Sequence, residues 1–137
     1  MSSREVNPNV NWETVATNSL LERCHSVCVE YQGDVYIHGG LAFMKQSGQP
    51  LSSVIKWNIA SNDISQVKTT GSPPSLSHHT ANLVGHVMVL TGGWDGKCRL
   101  SKIWALSLKT LAWIQIEHLE DLYPNVPILT MQYQILC

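Results

Sequence analysis

The apolar positions of this chain alternate in short runs. Val27, Val29 and Tyr31 are separated by Cys28, Glu30 and Gln32, the two-residue period of a strand with one face turned inward. Val87 and Val89 alternate with Met88 and Leu90, so that run is apolar on both faces and is expected to be buried on both. Gly33-Asp34 and Gly85-His86 stand between apolar segments and mark hairpin turns. Pro73-Pro74, flanked by Gly71-Ser72 and Ser75, breaks the chain between two such groups. No stretch carries a sustained helical period.

The groups repeat. Arg23-Cys24-His25-Ser26 precedes Gly33-Asp34-Val35-Tyr36-Ile37-His38-Gly39-Gly40, and Ser77-His78-His79-Thr80 precedes Gly85-His86-Val87-Met88-Val89-Leu90-Thr91-Gly92-Gly93. His25 and His79 are 54 residues apart, Gly40 and Gly93 are 53 apart, and Val54-Ile55-Lys56-Trp57-Asn58 precedes its match Ile103-Trp104-Ala105-Leu106-Ser107 by 49. Trp12, Ile64 and Trp113 occupy one equivalent place. Each unit is expected to supply four short strands: 24–31, 34–39, 53–59 and 64–68 in the first, and 79–84, 86–91, 102–108 and 113–117 in the second. Residues 11–16, with Trp12, read as an outer strand of a further sheet. Leu129, Met131, Tyr133 and Ile135 also alternate, but no third histidine or Gly-Gly pair follows the period.

Composition narrows the picture. The 137 residues are 44% hydrophobic and 14% charged, enough to bury a core. Net charge is -1, with no basic surplus for phosphate backbones, so nucleic acid is not an expected partner. The apolar runs are far too short for a membrane-spanning helix. The first eight residues show no apolar signal region, which leads us to expect an intracellular protein, cytoplasmic or nuclear, without a disulfide framework. Cys24 and Cys28 lie four apart on a strand, roughly 13 Å, too far to share one zinc ion. His78 and His79 are adjacent on a strand and point to opposite faces. We therefore expect no metal and no cofactor.

A period of about 50 residues, two Gly-Gly pairs that end apolar strands, His25-Ser26 and His79-Thr80 upstream, and Trp113 downstream resemble the kelch repeat. That resemblance implies an all-β fold: a partial kelch β-propeller of about two four-stranded antiparallel blades plus an amino-terminal outer strand. It divides the chain into a flexible lead at 1–10, a kelch region at 11–117 with blades near 23–68 and 77–117, and an atypical tail at 118–137. The structural marks of the repeat are then Arg23, His25, Gly39, Gly40, His79, Gly92, Gly93 and Trp113. Propellers use roughly four to eight blades, so two units are expected to be part of something larger. Unpaired blade edges would favour self-association or a companion chain.

Catalytic motifs fail on inspection. Gly85-His86 and Trp94-Asp95 stand too close together for a WD40 repeat. Thr91 to Cys98 resembles a phosphate loop but has Thr91 and Cys98 where that pattern requires glycine and Ser/Thr. His25 and Ser26 face opposite sides of a strand, so a triad with Asp34 cannot assemble. The kelch resemblance also admits a copper oxidase, but the tyrosine, histidine and cysteine ligands of such a site have no match here. We expect no enzyme and no catalytic residue. Recognition remains, carried by loops on a rigid scaffold. The loops at 41–51, 69–77 and 94–100 are candidates, and Phe43, Lys45, Trp94, Asp95, Lys97 and Arg99 are the expected contact residues for a protein partner. A substrate-recognition subunit of a ubiquitin ligase is the alternative role that the resemblance offers.

Overall fold

In the computed structural model, residues 9–42 and 48–117 are described. A 3-10 turn, Ser19–Leu21, opens the folded region; the Asn18 side chain accepts a hydrogen bond from the Leu20 N–H and caps it. Ten strands follow: β1 Arg23–Cys24, β2 Val27–Tyr31, β3 Asp34–His38, β4 Leu41–Ala42, β5 Val54–Asn58, β6 Ile64–Val67, β7 Thr80–Val84, β8 Val87–Thr91, β9 Ile103–Ser107 and β10 Trp113–Ile116.

Two four-stranded antiparallel meanders result, β2-β3-β5-β6 and β7-β8-β9-β10, with β1 and β4 forming a small ribbon beside the first. These are the two expected propeller blades. The β2–β3 hairpin closes through Gln32-Gly33, at φ +51° and +83°, the two left-handed residues of a turn whose twist suits the flanking strands. Asp34, where the expected strand 34–39 begins, is the first residue of β3 and pairs with Tyr31. The β5–β6 turn is set by Asn58, whose Oδ1 accepts the Ser61 N–H, and the β9–β10 turn by Ser107, whose Oγ accepts the Thr110 N–H.

The core lies between the blades. Strand register puts Val29, Tyr36 and Val54 on one face of the first blade. It puts Met88, Leu90, Leu106 and Trp113 on one face of the second. These faces share one buried cluster with Leu76 and Leu108. Leu76 belongs to the segment joining the blades, which crosses the second blade: Thr70 exchanges backbone hydrogen bonds with Leu111 and Trp113, and Leu76 N–H bonds the Leu51 carbonyl. Each side chain as large as these contributes roughly 1.5–3 kcal/mol when fully removed from water, so this seam is the main apolar reservoir of the fold.

The expected outer strand at 11–16 belongs to a further sheet, and this chain supplies no pairing for it among the described residues. Residues 11–16 form no strand, and Trp12 is 94% exposed. A strand needs the edge of a neighbouring strand to pair its backbone groups, and residues 11–16 pair with none of the sheet edges among the described residues. The segment is held instead by the Asn62 side chain, which donates to the Val15 carbonyl at 2.7 Å. The alternating run from Leu129 to Ile135 lies outside the described residues. No helix among the described residues is long and apolar enough to cross a membrane.

Candidate interaction surface

The two blades superpose by register at an offset of 53 residues at the ends where the Gly-Gly pairs sit. Cys24 pairs with Leu41, and Ser77 pairs with Trp94. His25 and His78 share a left-handed backbone, at φ +57° and +55°. The structure therefore sets His25 opposite His78, whereas the sequence spacing aligned His25 with His79. A one-residue slip separates the two readings, and hydrogen-bond register decides it. His79 instead takes the place of Ser26, the residue just before the inner strand. Downstream the offset is 49, because the β3–β5 connection of the first blade is longer than the β8–β9 connection of the second.

Register also gathers these features at one end of the molecule. Val27 pairs with His38, and Thr80 with Thr91, so His25, Gly39-Gly40, His78 and Gly92-Gly93 sit together with residues 41–42 and the loop at 94–100. Arg23 organises the first blade's share. Its Nη1 donates to the Gly39 carbonyl at 2.9 Å, its Nε to the Leu20 carbonyl at 2.9 Å, and its Nη2 to Ser53 Oγ at 3.1 Å. Burial pushes its pKa below the ordinary value.

In the second blade Asp95 orders the 94–100 loop. Its Oδ1 accepts the N–H groups of Lys97 at 2.8 Å and Cys98 at 2.7 Å. Those two bonds hold its carboxyl below the usual carboxylate range. Trp94 is half-buried and bridges Ser77 and Arg99 through backbone pairing. Trp94 and Asp95 thus shape the loop, while Lys97 and Arg99 are exposed on it. Phe43 and Lys45 lie outside the described residues. Cys24 and Cys28 are free, whereas Cys98 is disulfide-bonded, so the expectation of a chain without disulfides does not hold there.

Between the blades at this end, the rings of His25 and His78 stack with centroids 3.8 Å apart and planes at 21°. The His78 N–H donates to the His25 carbonyl at 3.1 Å. Partial desolvation, then the neighbouring His25 and Arg99, lower the pKa of His78. A shallow depression of about 210 Å³ opens beside the stack, lined by His78, Thr80, Thr91, Arg99 and Leu100 around Gly92-Gly93.

Behind this surface lies a pair of histidines that includes one the sequence did not single out. His38 is fully buried and His79 is 6% exposed. His38 Nδ1 lies 2.9 Å from His79 Nε2, and His38 Nε2 lies 2.9 Å from the Pro74 carbonyl oxygen. The Trp113 indole stands edge-on to His38 at 5.1 Å and donates its own N–H to Thr69 Oγ1. A sequence signal for His38 existed: it is the polar member of the inward-facing series Tyr36, His38 just before Gly39-Gly40. Among the described residues no three His, Cys, Asp or Glu side chains are gathered as metal ligands.

Comparison with known proteins agrees with this architecture. The family model described as the KLHDC2/KLHL20/DRC7 Kelch-repeats domain matches residues 8–126. Kelch domain-containing protein 9 of Homo sapiens is similar, with 32% identity over 102 residues, covering 74% of this chain and 29% of that protein. Kelch domain-containing protein 9 of Mus musculus shows 35% identity over 105 residues, again 74% of this chain and 29% of the relative. The chain thus spans 29% of the length of the curated relatives it matches. With two four-stranded blades, a glycine pair closing the second strand of each, and a family match across most of its length, this chain belongs to the KLHDC2/KLHL20/DRC7 Kelch-repeats domain family.

Proposed function

We propose that the chain is a protein-interaction scaffold of the kelch type, non-catalytic and part of a larger propeller, which binds through the loop end that carries His25, His78, Lys97 and Arg99. In this reading residues 11–117 form the kelch region, between a lead at 1–10 and a tail at 118–137, and the protein works in the cytoplasm or nucleus. The observation that carries it is the unbalanced charge of that end. Among the described residues the one ion pair is Lys56–Asp34; the Asp95 carboxylate offsets the Lys97 charge within the loop, and Arg99, with no ion-pair partner among the described residues, lines a shallow depression. Such cations steer and orient an acidic partner face. A rigid frame supports them, because Asp95 and the Trp94 bridges fix the loop backbone.

The test is affinity capture from cells with three versions of the chain. Lys97→Glu with Arg99→Glu reverses the charge of the loop, and Lys109→Glu alters the β9–β10 turn at the opposite end. Partners that persist with Lys109→Glu and vanish with the double variant support the reading. Partners that the double variant retains in full would refute it.

A further inference from the structure

We propose that the His38–His79 hydrogen bond is a proton-operated latch between the two blades. His38 closes β3 of the first blade and His79 immediately precedes β7 of the second, so their contact bridges the seam. The packing leaves no slack: a Cβ built on Gly39 would stand 3.0 Å from His79 Cε1 and collide with the Leu76 carbonyl.

The hydrogen-bond chain fixes both tautomers. The Pro74 carbonyl can only accept, so His38 Nε2 carries a proton and His38 Nδ1 is the acceptor. His79 Nε2 must then donate, which leaves His79 Nδ1 a bare lone pair. That atom is buried and has no hydrogen-bond partner. With both rings neutral, each contact in the chain has one donor and one acceptor, and one buried proton site is left unused.

Among the described residues the groups around the pair offer no anion to stabilise a second proton. From the first blade comes the Arg23 guanidinium, bonded to the carbonyl beside His38. From the second come His78 and, stacked on it from the first, His25, with Arg99 next to His78. Trp113 and Pro74 supply only neutral contacts. Burial and these neighbours push His38 down to about 3 and His79 down to about 4. A proton on His79 Nδ1 would bury an unpaired charge. A proton on His38 Nδ1 would force His79 to shift its own proton from Nε2 to the unpartnered Nδ1, and would still bury a charge with no anion beside it among the described residues.

The consequence is selective. Neither imidazole takes part in the backbone ladders of either blade, so acid opens the seam before it melts the sheets. Between pH 7 and pH 5 an opened seam, with ordinary histidines, gains protons that the closed seam refuses. The opening equilibrium then rises by roughly tenfold or more, since each unit of pKa difference is a factor of ten.

Hydrogen exchange on the 137-residue chain, corrected for intrinsic rates, tests this at pH 7 and pH 5. Amides that bridge the blades, Gly40 bonded to Leu76 and His78 bonded to His25, are expected to lose protection at least tenfold more than β8 and β9 amides. In His79→Gln, whose amide can still donate but cannot titrate, that difference between seam and strands shrinks at least several-fold, and with His38→Gln added it disappears. A uniform loss across the chain, or an equal seam loss in His79→Gln, would overturn the latch. Nitrogen-15 NMR of the wild-type imidazoles decides independently should the variant not fold. Both rings in the Nε2–H form at pH 7, taking up protons only well below pH 6, support it; titration near pH 6.5 contradicts it.

Discussion

Gly93 lies so close to His79 that a Cβ added to it would stand 2.7 Å from the His79 Cβ, and its φ of +101° is one that L side chains rarely adopt. The glycine pairs at the strand ends are therefore contact points as well as turns. Gly40 and Gly93 let the segment leading into their own blade's inner strand approach the backbone directly, and Gly39 does the same for the lead into the second blade. Gly93→Ala combines a strained backbone with overpacking, each worth roughly 1–3 kcal/mol, and is expected to lower stability by about 2–4 kcal/mol in chemical denaturation. Gly85→Ala, where nothing lies within 4 Å, is the control and should cost about 1–2 kcal/mol from conformation alone.

The seam between blades makes a second prediction. Met88 and Leu106 are fully buried in the shared cluster, whereas Ile114 is exposed on the opposite face of β10. Met88→Ala and Leu106→Ala should each cost about 2–5 kcal/mol, and Ile114→Ala less than about 0.5 kcal/mol. Denaturant midpoints compared at equal m-values measure all three. Equal losses would contradict the assignment of faces.

The pH dependence of stability follows in sign from the two lowered histidines. A depressed histidine pKa means that the unfolded chain binds protons which the folded chain excludes. Their contribution is complete above pH 6.5 and is lost as pH falls from there toward about 4 for His79 and about 3 for His38. Unfolding free energy is expected to decline below pH 6.5 with a slope approaching about 1.4 kcal/mol per pH unit for each such proton. Replacing His38 and His79 together by glutamine should flatten the curve. A wild-type curve already flat from pH 7 to pH 5 would remove the prediction.

Asp95 is expected to act on loop order more than on global stability. Its carboxylate bonds to the Lys97 and Cys98 amides, and these lower its pKa. Asp95→Ala should speed exchange of those two amides and weaken partner capture, with little change in the unfolding midpoint. Asp95→Asn keeps an acceptor oxygen and should restore most of the order. Acidification acts in the same direction, since the bonds favour the ionised form and weaken once pH falls below the folded pKa.

Much of this architecture was readable along the chain. Two-residue alternation and the doubly apolar run Val87 to Leu90 located the blade strands, because a buried strand leaves its period in the sequence. The Gly-Gly pairs marked the strand ends. The histidine register was not readable: His78 and His79 are adjacent, and only the pairing of Ser77 with Trp94 shows which one matches His25. Residues 11–16 carry a strand's composition, but a strand also needs an edge, which local sequence does not report. The His38–His79 bond joins residues 41 apart on different blades, and nothing periodic encodes such a contact. The loop that carries Lys97 and Arg99 was legible as a loop; that Trp94 and Asp95 serve its shape emerged from the hydrogen bonds.

The central claim is that the end carrying the 94–100 loop meets the partner. Site-specific photo-crosslinking in cells tests it most directly, with a photoreactive amino acid placed at Lys97 in one version and at Lys109 in another. Both positions are exposed, and they lie at opposite ends of the second blade. Covalent adducts from position 97 and none from position 109 are the predicted result. Adducts from position 109 with none from position 97 would contradict the account.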